Sequence, residues 1–181
     1  TRRSSDLNIH SEEHRIEMFF YKELTKRKNK QNFFKNKTPI RLGKKYFFQF
    51  PLAVGASGNK LRKVGHIDIL IRKGKGKTSS LEVWELKKEY DKHAVFQSLI
   101  YALQIKRLLE DRDWSEFIGY DKNLPSKISA VAFYPRLNES QIVKVKQEIN
   151  KYSKLAIKYG VHLSYKEFFV NTQSQEISIK N

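Results

Sequence analysis

Apolar residues recur every three or four positions in three segments of the chain, and this period predicts three amphipathic helices. The first is predicted over about 11–25, where Ser11 can cap the amino end. The others are predicted over about 92–110 and 139–158. Each has one apolar face, so each is expected to pack against another layer of the fold.

Five other segments have the composition of β-strands, with bulky apolar residues in alternation or in short runs. They cover about 46–54, 63–72, 80–88, 128–134 and 161–165. Within the second of these, alternation predicts three isoleucines on one face: Ile67, Ile69 and Ile71. The predicted order along the chain is α-β-β-β-α-β-α-β. Helices and strands in this order predict an α/β fold, in which a mixed central β-sheet is flanked by helices.

The remaining segments are predicted to be connections. Residues 26–45 are expected to form a basic, irregular loop, 55–59 and 74–77 turns that contain glycine, and 171–181 a polar, frayed tail. No linker rich in proline or glycine divides the chain. We therefore expect residues 1–181 to form a single domain.

Charge indicates the kind of partner. The chain has 36 lysines and arginines against 19 acidic residues, a net charge of +17. An anionic partner relieves the resulting self-repulsion, and nucleic acid is favoured because neutralised phosphates release counterions. We expect DNA rather than RNA, and a generally basic composition is the alternative reading. There is no cysteine and no apolar run of about 20 residues, which predicts a cytoplasmic protein without disulfides or a membrane span.

Three charged residues are candidates for chemistry. Asp68 stands in an otherwise apolar strand, where a carboxylate is costly to bury unless it is paired or binds a metal. Glu85 and Lys87 lie two positions apart on the next predicted strand and so point to one face. If these strands form a hairpin, the two carboxylates converge and can bind a hard divalent cation such as Mg²⁺. Charged side chains that face solvent are the alternative interpretation.

Three sequence blocks occur in order: Gly65-His66-Ile67-Asp68, then Glu85-Leu86-Lys87, then Gln97 to Tyr101. Together they resemble the PD-(D/E)xK nuclease superfamily, and the last block resembles the QxxxY motif of its RecB-type branch. Ile67 stands where the name of the superfamily has proline. The core of that family is a helix, three antiparallel strands, a helix and a fourth strand. The resemblance therefore implies a restriction-endonuclease-like core over about 11–165.

The resemblance also implies roles for individual residues. Asp68, Glu85 and Lys87 would be catalytic, supported by Gln97 and Tyr101 from one face of the second helix. One or two Mg²⁺ or Mn²⁺ ions would be held by Asp68, Glu85, the Leu86 carbonyl and Glu13. Glu12 and Glu17 compete with Glu13 for the acidic position that the family often has in its first helix. All three glutamates also suit the positive amino end of a helix.

Basic residues outside these blocks are predicted to contact nucleic-acid phosphates: Lys26, Arg27, Lys28, Lys30 and Lys88. Phe33 and Phe34 interrupt the basic segment, and they either stack on bases or fill the core. His66 either lines the site or is a structural histidine.

These observations predict a Mg²⁺- or Mn²⁺-dependent deoxyribonuclease, with endonuclease action favoured over exonuclease action. The alternative is a catalytically inactive nucleic-acid-binding module of the same fold within a larger assembly. The sequence leaves the oligomeric state open.

Overall fold

A computed structural model describes residues 12–28, 30–40, 50–53, 64–74, 78–120, 124–171, 173 and 176–180. The helices are α1 (Glu12–Thr25), α2 (Ala94–Leu108), α3 (Arg112–Ile118) and α4 (Glu139–Lys158), with a short 3-10 turn at Asn32–Phe34. The strands are β1 (Lys37–Pro39), β2 (Phe50–Ala53), β3 (Val64–Ile67), β4 (Ile69–Lys73), β5 (Ser80–Leu86), β6 (Lys127–Pro135), β7 (Val161–Asn171) and β8 (Glu176–Lys180).

Six strands form one mixed sheet in the order β1-β4-β5-β6-β7-β8, and β2 pairs with β3 in a separate two-stranded sheet. The pairs β1–β4, β4–β5 and β7–β8 are antiparallel, whereas β5, β6 and β7 are mutually parallel. Parallel neighbours need a crossover connection, and α2 and α4 supply the two crossovers on either side of β6.

The helices cover both faces of this sheet. On one face α1 packs Ile16, Phe20 and Leu24 against β4, β5 and β6. On the other face α2 packs against β4, β5 and β6, and α4 adds Val145 beside it. Because β6 lies between the two helix layers, its residues from 128 to 134 are all buried and apolar or small.

Local sequence signals explain where the last two helices begin. Asn138 and Gln141 form a reciprocal capping box at the start of α4, so two backbone N–H groups that the helix leaves unpaired gain partners. The side chain of Asp111 accepts hydrogen bonds from the N–H groups of Asp113 and Trp114 at the start of α3.

The predicted architecture is confirmed at the level of a mixed sheet flanked by helices. The three predicted helices correspond to α1, α2 and α4, and the strands predicted at 80–88 and 128–134 correspond to β5 and β6. The strand predicted over 161–165 is longer, because β7 continues to Asn171.

The single strand predicted over 63–72 is wrong at Asp68, where the chain breaks between β3 and β4. The break changes the alternation, so Ile69 and Ile71 face α1 whereas Ile67 joins the core under α2. The short strand β3 then pairs with β2, separately from the main sheet. The chain leaves the ladder at the one charged residue of this apolar segment.

Three predicted connections also contain regular structure. β1 lies within the predicted basic loop, and α3 lies in the polar stretch after α2. The prediction of a frayed tail is wrong, since β8 pairs with β7 and Ile177 is completely buried. Each of these elements has too few apolar residues to show a clear hydrophobic period, and each is stabilised by packing against neighbouring helices and strands.

Some predictions fall on residues outside the described ranges: the Ser11 cap, the turn at 55–59, and the parts of the segments 26–45, 46–54 and 74–77 that the structure omits. Of the glycine turn at 74–77, Gly74 is described and has a φ of 77°, a conformation that glycine adopts without strain. Among the described residues, no helix combines the length and the apolar character needed to cross a bilayer.

Phe20 is central to the core under α1. Its ring meets those of Phe34, Trp84, Phe133 and Phe168 edge to face, with centroids 5.2–6.0 Å apart. We predict that Phe20→Ala lowers the free energy of unfolding by about 3–5 kcal/mol, measured by urea denaturation, because it leaves a cavity that the sheet cannot close.

Met18→Ala on the same helix is the matched control, since Met18 is 46% exposed. It should change the free energy of unfolding by less than about 0.5 kcal/mol. Equal losses in the two variants would contradict this description of the core.

Candidate active site

The candidate residues meet at the carboxyl end of β5, where the chain turns into α2. Ligands commonly bind at this edge of an α/β sheet, because loops and helix ends converge there. Glu85 is the penultimate residue of β5, Lys87 follows the strand, and Gln97 lies in the first turn of α2. This edge of the sheet therefore brings together the end of β5, the break before β4 and the first turn of α2.

Asp68 and Glu85 lie close together at the end of β5. The ladder of β4 and β5 ends with the pair Ile69 and Trp84, and Asp68 immediately precedes this pair whereas Glu85 immediately follows it. The backbone N–H of Leu86 donates a 2.6 Å hydrogen bond to Oδ2 of Asp68, which fixes the aspartate at the end of β5. The charge of Glu85 acts on Asp68, so the structure brings together the two carboxylates that the sequence singled out.

Both carboxyl groups are removed from water. Asp68 is 8% exposed and Glu85 is 2% exposed. Burial raises the pKa of Asp68 well above its ordinary value, and the charge of Glu85 adds to this, against the Leu86 hydrogen bond. Burial likewise raises the pKa of Glu85 to about 7, although Lys87 opposes the shift. Burial thus favours the uncharged form of both carboxyl groups, and a cation bound between them would favour the charged form.

A chain of hydrogen bonds runs from this pair to α2. Nζ of Lys87 donates to Oε1 of Glu85 at 2.7 Å and to Oε1 of Gln97 at 3.3 Å. Nε2 of Gln97 in turn donates to the hydroxyl oxygen of Tyr101 at 3.1 Å. Burial by itself would lower the pKa of Lys87, but the adjacent Glu85 carboxylate outweighs it and the pKa is raised. Lys87 therefore remains a cation, held in position by partners on two elements.

The glutamates of α1 differ in their relation to the pair. Glu17 is 2% exposed, and its charge acts on Asp68. Glu13 is half-buried, and its charge acts on Glu85 and Lys87. Glu12 is exposed. Of the three candidates, Glu17 thus acts on Asp68 and Glu13 on Glu85.

Asp91 is a further site residue that the motif blocks did not indicate. Its Oδ2 lies 3.8 Å from Nζ of Lys87, and its charge acts on Glu85. Its Oδ1 accepts a hydrogen bond from the His93 N–H at 2.8 Å, and its carbonyl accepts one from the Tyr134 hydroxyl at 3.0 Å. The sequence signal that could have identified Asp91 is its position four residues after Lys87, just before a helix.

The donor set suits a hard divalent cation. Carboxylate oxygens are the ligands that Mg²⁺ and Mn²⁺ prefer, and the buried Oε2 of Glu85 accepts no hydrogen bond from any described residue. Within the described ranges, no three His, Cys, Asp or Glu side chains are already gathered as one metal-binding group. Asp68 and Glu85 would therefore hold an ion together with backbone oxygen, such as the Leu86 carbonyl, and solvent.

A cleft of about 420 Å³ lies beside Lys87. Its lining includes Glu13, Lys87 and Asp91 together with the exposed side chains that follow β5, among them Lys88. Asp68 and Glu85 are not part of this lining, so Lys87 is the member of the candidate site that a ligand in the cleft would meet.

The other predicted phosphate contacts lie beyond the far end of α1. Arg27 and Lys28 are exposed, Lys26 is ion-paired with Glu23, and Nζ of Lys30 donates to the Lys37 carbonyl at 3.2 Å. They are not gathered around the carboxylate pair.

The structure also shows the positions of Phe33, Phe34 and His66, for each of which the sequence allowed two roles. Phe34 is fully buried, and Phe33 packs its ring against Phe34, Trp84 and Phe133, so both belong to the core under α1. His66 is exposed on β3, and neither predicted role is supported for it.

The raised pKa of Glu85 predicts a pH dependence of stability in EDTA. Between its ordinary value of 4.5 and about 7, the folded state binds more protons than the unfolded state, so the contribution of Glu85 to stability falls as pH rises through this window. Glu85→Gln removes this loss. We predict that the free energy of unfolding of the variant, relative to wild type, increases from pH 5 to pH 8.

Urea denaturation at a series of pH values measures this difference. Glu89→Gln is the matched control, because Glu89 lies on the same cleft but is exposed. A relative stability of Glu85→Gln that stays constant or falls with pH would contradict a raised pKa at this position.

Comparison with known proteins does not indicate a family for this chain, since it matches no protein-family model, no curated protein and no solved structure. The physical chemistry of the carboxylate pair and its lysine is therefore the basis on which a function can be assigned.

Proposed function

We propose that the protein is a Mg²⁺- or Mn²⁺-dependent nuclease that hydrolyses phosphodiester bonds of nucleic acid, DNA in preference to RNA. The observation that supports the proposal is the buried pair Asp68 and Glu85 at the end of β5, where the Leu86 N–H binds Asp68 and the Lys87 ammonium lies 2.7 Å from Glu85. A binding module for a polyanion gains nothing from two buried carboxylates, because they repel phosphate and cost desolvation.

The arrangement also supports a restriction-endonuclease-like core made of α1, β1, β4, β5, α2 and β6. These elements follow the order helix, three antiparallel strands, helix, parallel strand, with the β2–β3 sheet inserted between β1 and β4. The resemblance of the three sequence blocks to PD-(D/E)xK nucleases agrees with this order. Within this proposal we favour endonuclease action over exonuclease action.

A divalent cation bound by Asp68 and Glu85 would supply polarisation of the scissile phosphate and a lowered pKa for water. Lys87 points its ammonium group to the same place, so it can orient an attacking water or stabilise the negative charge that develops on phosphate. Burial of the site strengthens the effects of the ion and of Lys87, since fewer waters screen these charges.

Gln97 and Tyr101 act as positioning residues. Gln97 binds Lys87 through its carbonyl and Tyr101 through its amide, so the lysine is held against rotation away from Glu85. Partners of this kind hold a reacting group within the narrow range of geometry that catalysis requires.

The direct test is metal-dependent cleavage. With Mg²⁺ or Mn²⁺ present, we predict cleavage of plasmid or linear DNA that EDTA abolishes. Asp68→Ala, Glu85→Ala and Lys87→Ala should each lower kcat by at least about a hundredfold. The loss follows from removing an ion ligand or the cation that faces phosphate.

Substrates for this test are supercoiled, linear, branched and single-stranded DNA, with RNA for comparison. Glu139→Ala, an exposed glutamate at the start of α4, is the control and should cleave as wild type does. Undiminished cleavage by purified, folded Glu85→Ala would refute the assignment. Binding without cleavage on every substrate would favour the non-catalytic module instead.

The hydrogen-bond chain predicts a graded series. The loss of kcat should be largest for Lys87→Ala, smaller for Gln97→Ala and smallest for Tyr101→Phe, because each residue is one hydrogen bond farther from phosphate. Gln97→Ala should cost about ten- to a hundredfold. Single-turnover rates measure the series, and KM should stay near the wild-type value. A Tyr101→Phe defect as large as that of Lys87→Ala would contradict a positioning role.

A further inference from the structure

The face of the sheet that α1 covers is divided into two halves. On β6 this face carries Lys127 and Ser129 at one end and Val131 and Phe133 at the other. On β7 it carries His162, Ser164 and Lys166 before Phe168. Alternate residues of a strand share a face, so the polar residues continue the surface that α1 covers at its apolar end. The polar half lies beyond α1.

The polar half forms a groove of about 360 Å³, which we call the sheet groove. Its basic lining consists of Lys35, Lys37, Lys73, Lys127, His162 and Lys166. Strand register puts several of these side by side: Lys37 is opposite Lys73, and His162 is opposite Ser129, two residues after Lys127. The lysines thus come from four separate parts of the chain and are gathered by the sheet.

The charge of the sheet groove is not balanced by its own acidic residue. Among the described residues that line it there are five lysines and one glutamate, Glu82, so five positive charges minus one negative charge leave +4 with His162 neutral. Glu82 is already engaged by the Trp84 ring N–H at 2.9 Å and by Nζ of Lys37 at 3.4 Å. The ammonium group of Lys37 also lies 3.6 Å from the centroid of the Phe33 ring.

The cations of the sheet groove also act on one another. The pKa of Lys37 is lowered by burial first; Glu82 opposes this shift, and the charges of Lys73 and Lys166 add to it. The pKa of His162 is lowered by burial and by the charge of Lys127. Crowding of like charges on a sheet face costs free energy in the free protein, and an anion in the groove recovers it.

Basic surface continues from the groove toward the end of α1. Lys30 donates to the Lys37 carbonyl, and the exposed Arg27 and Lys28 precede it in the chain. An extended line of cations suits a ligand with several regularly spaced anions better than it suits one phosphate. We propose that the sheet groove binds the sugar–phosphate backbone of a nucleic-acid strand, at a site separate from Asp68 and Glu85.

This inference rests on the proposed function for the identity of the polyanion, but it concerns a different surface. Glu82 and Glu85 lie on opposite faces of β5 and about 10 Å apart along it, at the usual rise per residue. A strand that reaches both sites must pass around the sheet. The sheet groove therefore holds a part of the substrate distant from the bond that is cut, and it adds affinity without touching the reacting atoms.

The test compares two triple variants with equal loss of charge. Lys35, Lys73 and Lys127 are exposed, so their replacement in K35Q/K73Q/K127Q removes groove cations without disturbing the core. The control K144Q/K146Q/K154Q removes three exposed lysines from α4, which packs against the opposite face. Thermal melting of both variants first shows that they are folded.

Fluorescence anisotropy in EDTA measures the binding of labelled single-stranded and duplex oligonucleotides at several salt concentrations. For the groove variant we expect an affinity at least about tenfold weaker than wild type. On a single strand, the negative slope of log K against the logarithm of the salt concentration should become less steep by about 2, since each lost phosphate contact removes about 0.7. The α4 control should retain the wild-type slope and most of the affinity.

Two outcomes would overturn the proposal. Equal weakening by the groove variant and the control would show an effect of net charge alone. Competition by a mononucleotide as strong as that by the oligonucleotide would show a site for a small phosphate ligand instead of a strand.

The groove and the nuclease proposal fail in distinguishable ways. If wild type binds through the groove but cleaves nothing, the nuclease proposal fails and the groove stands. If wild type cleaves and the groove variant binds normally, the groove alone fails.

Discussion

The carboxylate pair at the end of β5 is the constraint around which the rest of the site is organised. Two acidic side chains in adjacent positions, both almost completely buried, are unfavourable as anions unless positive charge compensates them. The protein supplies one cation, Lys87, and one strong N–H donor, the Leu86 backbone. These are too few for two charges, so the pair retains protons or takes up a further cation. The divalent ion that we propose would relieve this imbalance.

The break between β3 and β4 makes the pair possible. If the strand had continued regularly, Asp68 would lie within the ladder, and Ile67 would lie on the face that α1 covers. The break instead frees the aspartate to accept the Leu86 N–H and turns Ile67 into the core under α2. A local departure from regular pairing thus serves both the packing of the small β2–β3 sheet and the geometry of the site.

The two faces of the sheet separate two kinds of chemistry. At the carboxyl end of β5, under α2, acidic groups dominate and one lysine is held by Glu85 and Gln97. At the opposite end, on the face of α1, lysines dominate and the glutamate is neutralised locally. Under the proposed function, such a division would let the protein attract a polyanion while a few carboxylates lie near the phosphate.

The amino-acid sequence by itself determined the helices with a clear apolar period, the central strands, and the members of the candidate site whose spacing is local. Glu85 and Lys87 share a face because a strand alternates, and Gln97 and Tyr101 share one because a helix turns every 3.6 residues. Only the tertiary structure decided which partners these residues meet. The contact of Asp68 with Leu86, the approach of Glu17 to Asp68 and the gathering of lysines into the sheet groove all join residues far apart in the chain. Local periodicity carries no information on such contacts, because they depend on strand register and on the side of the sheet that each helix covers.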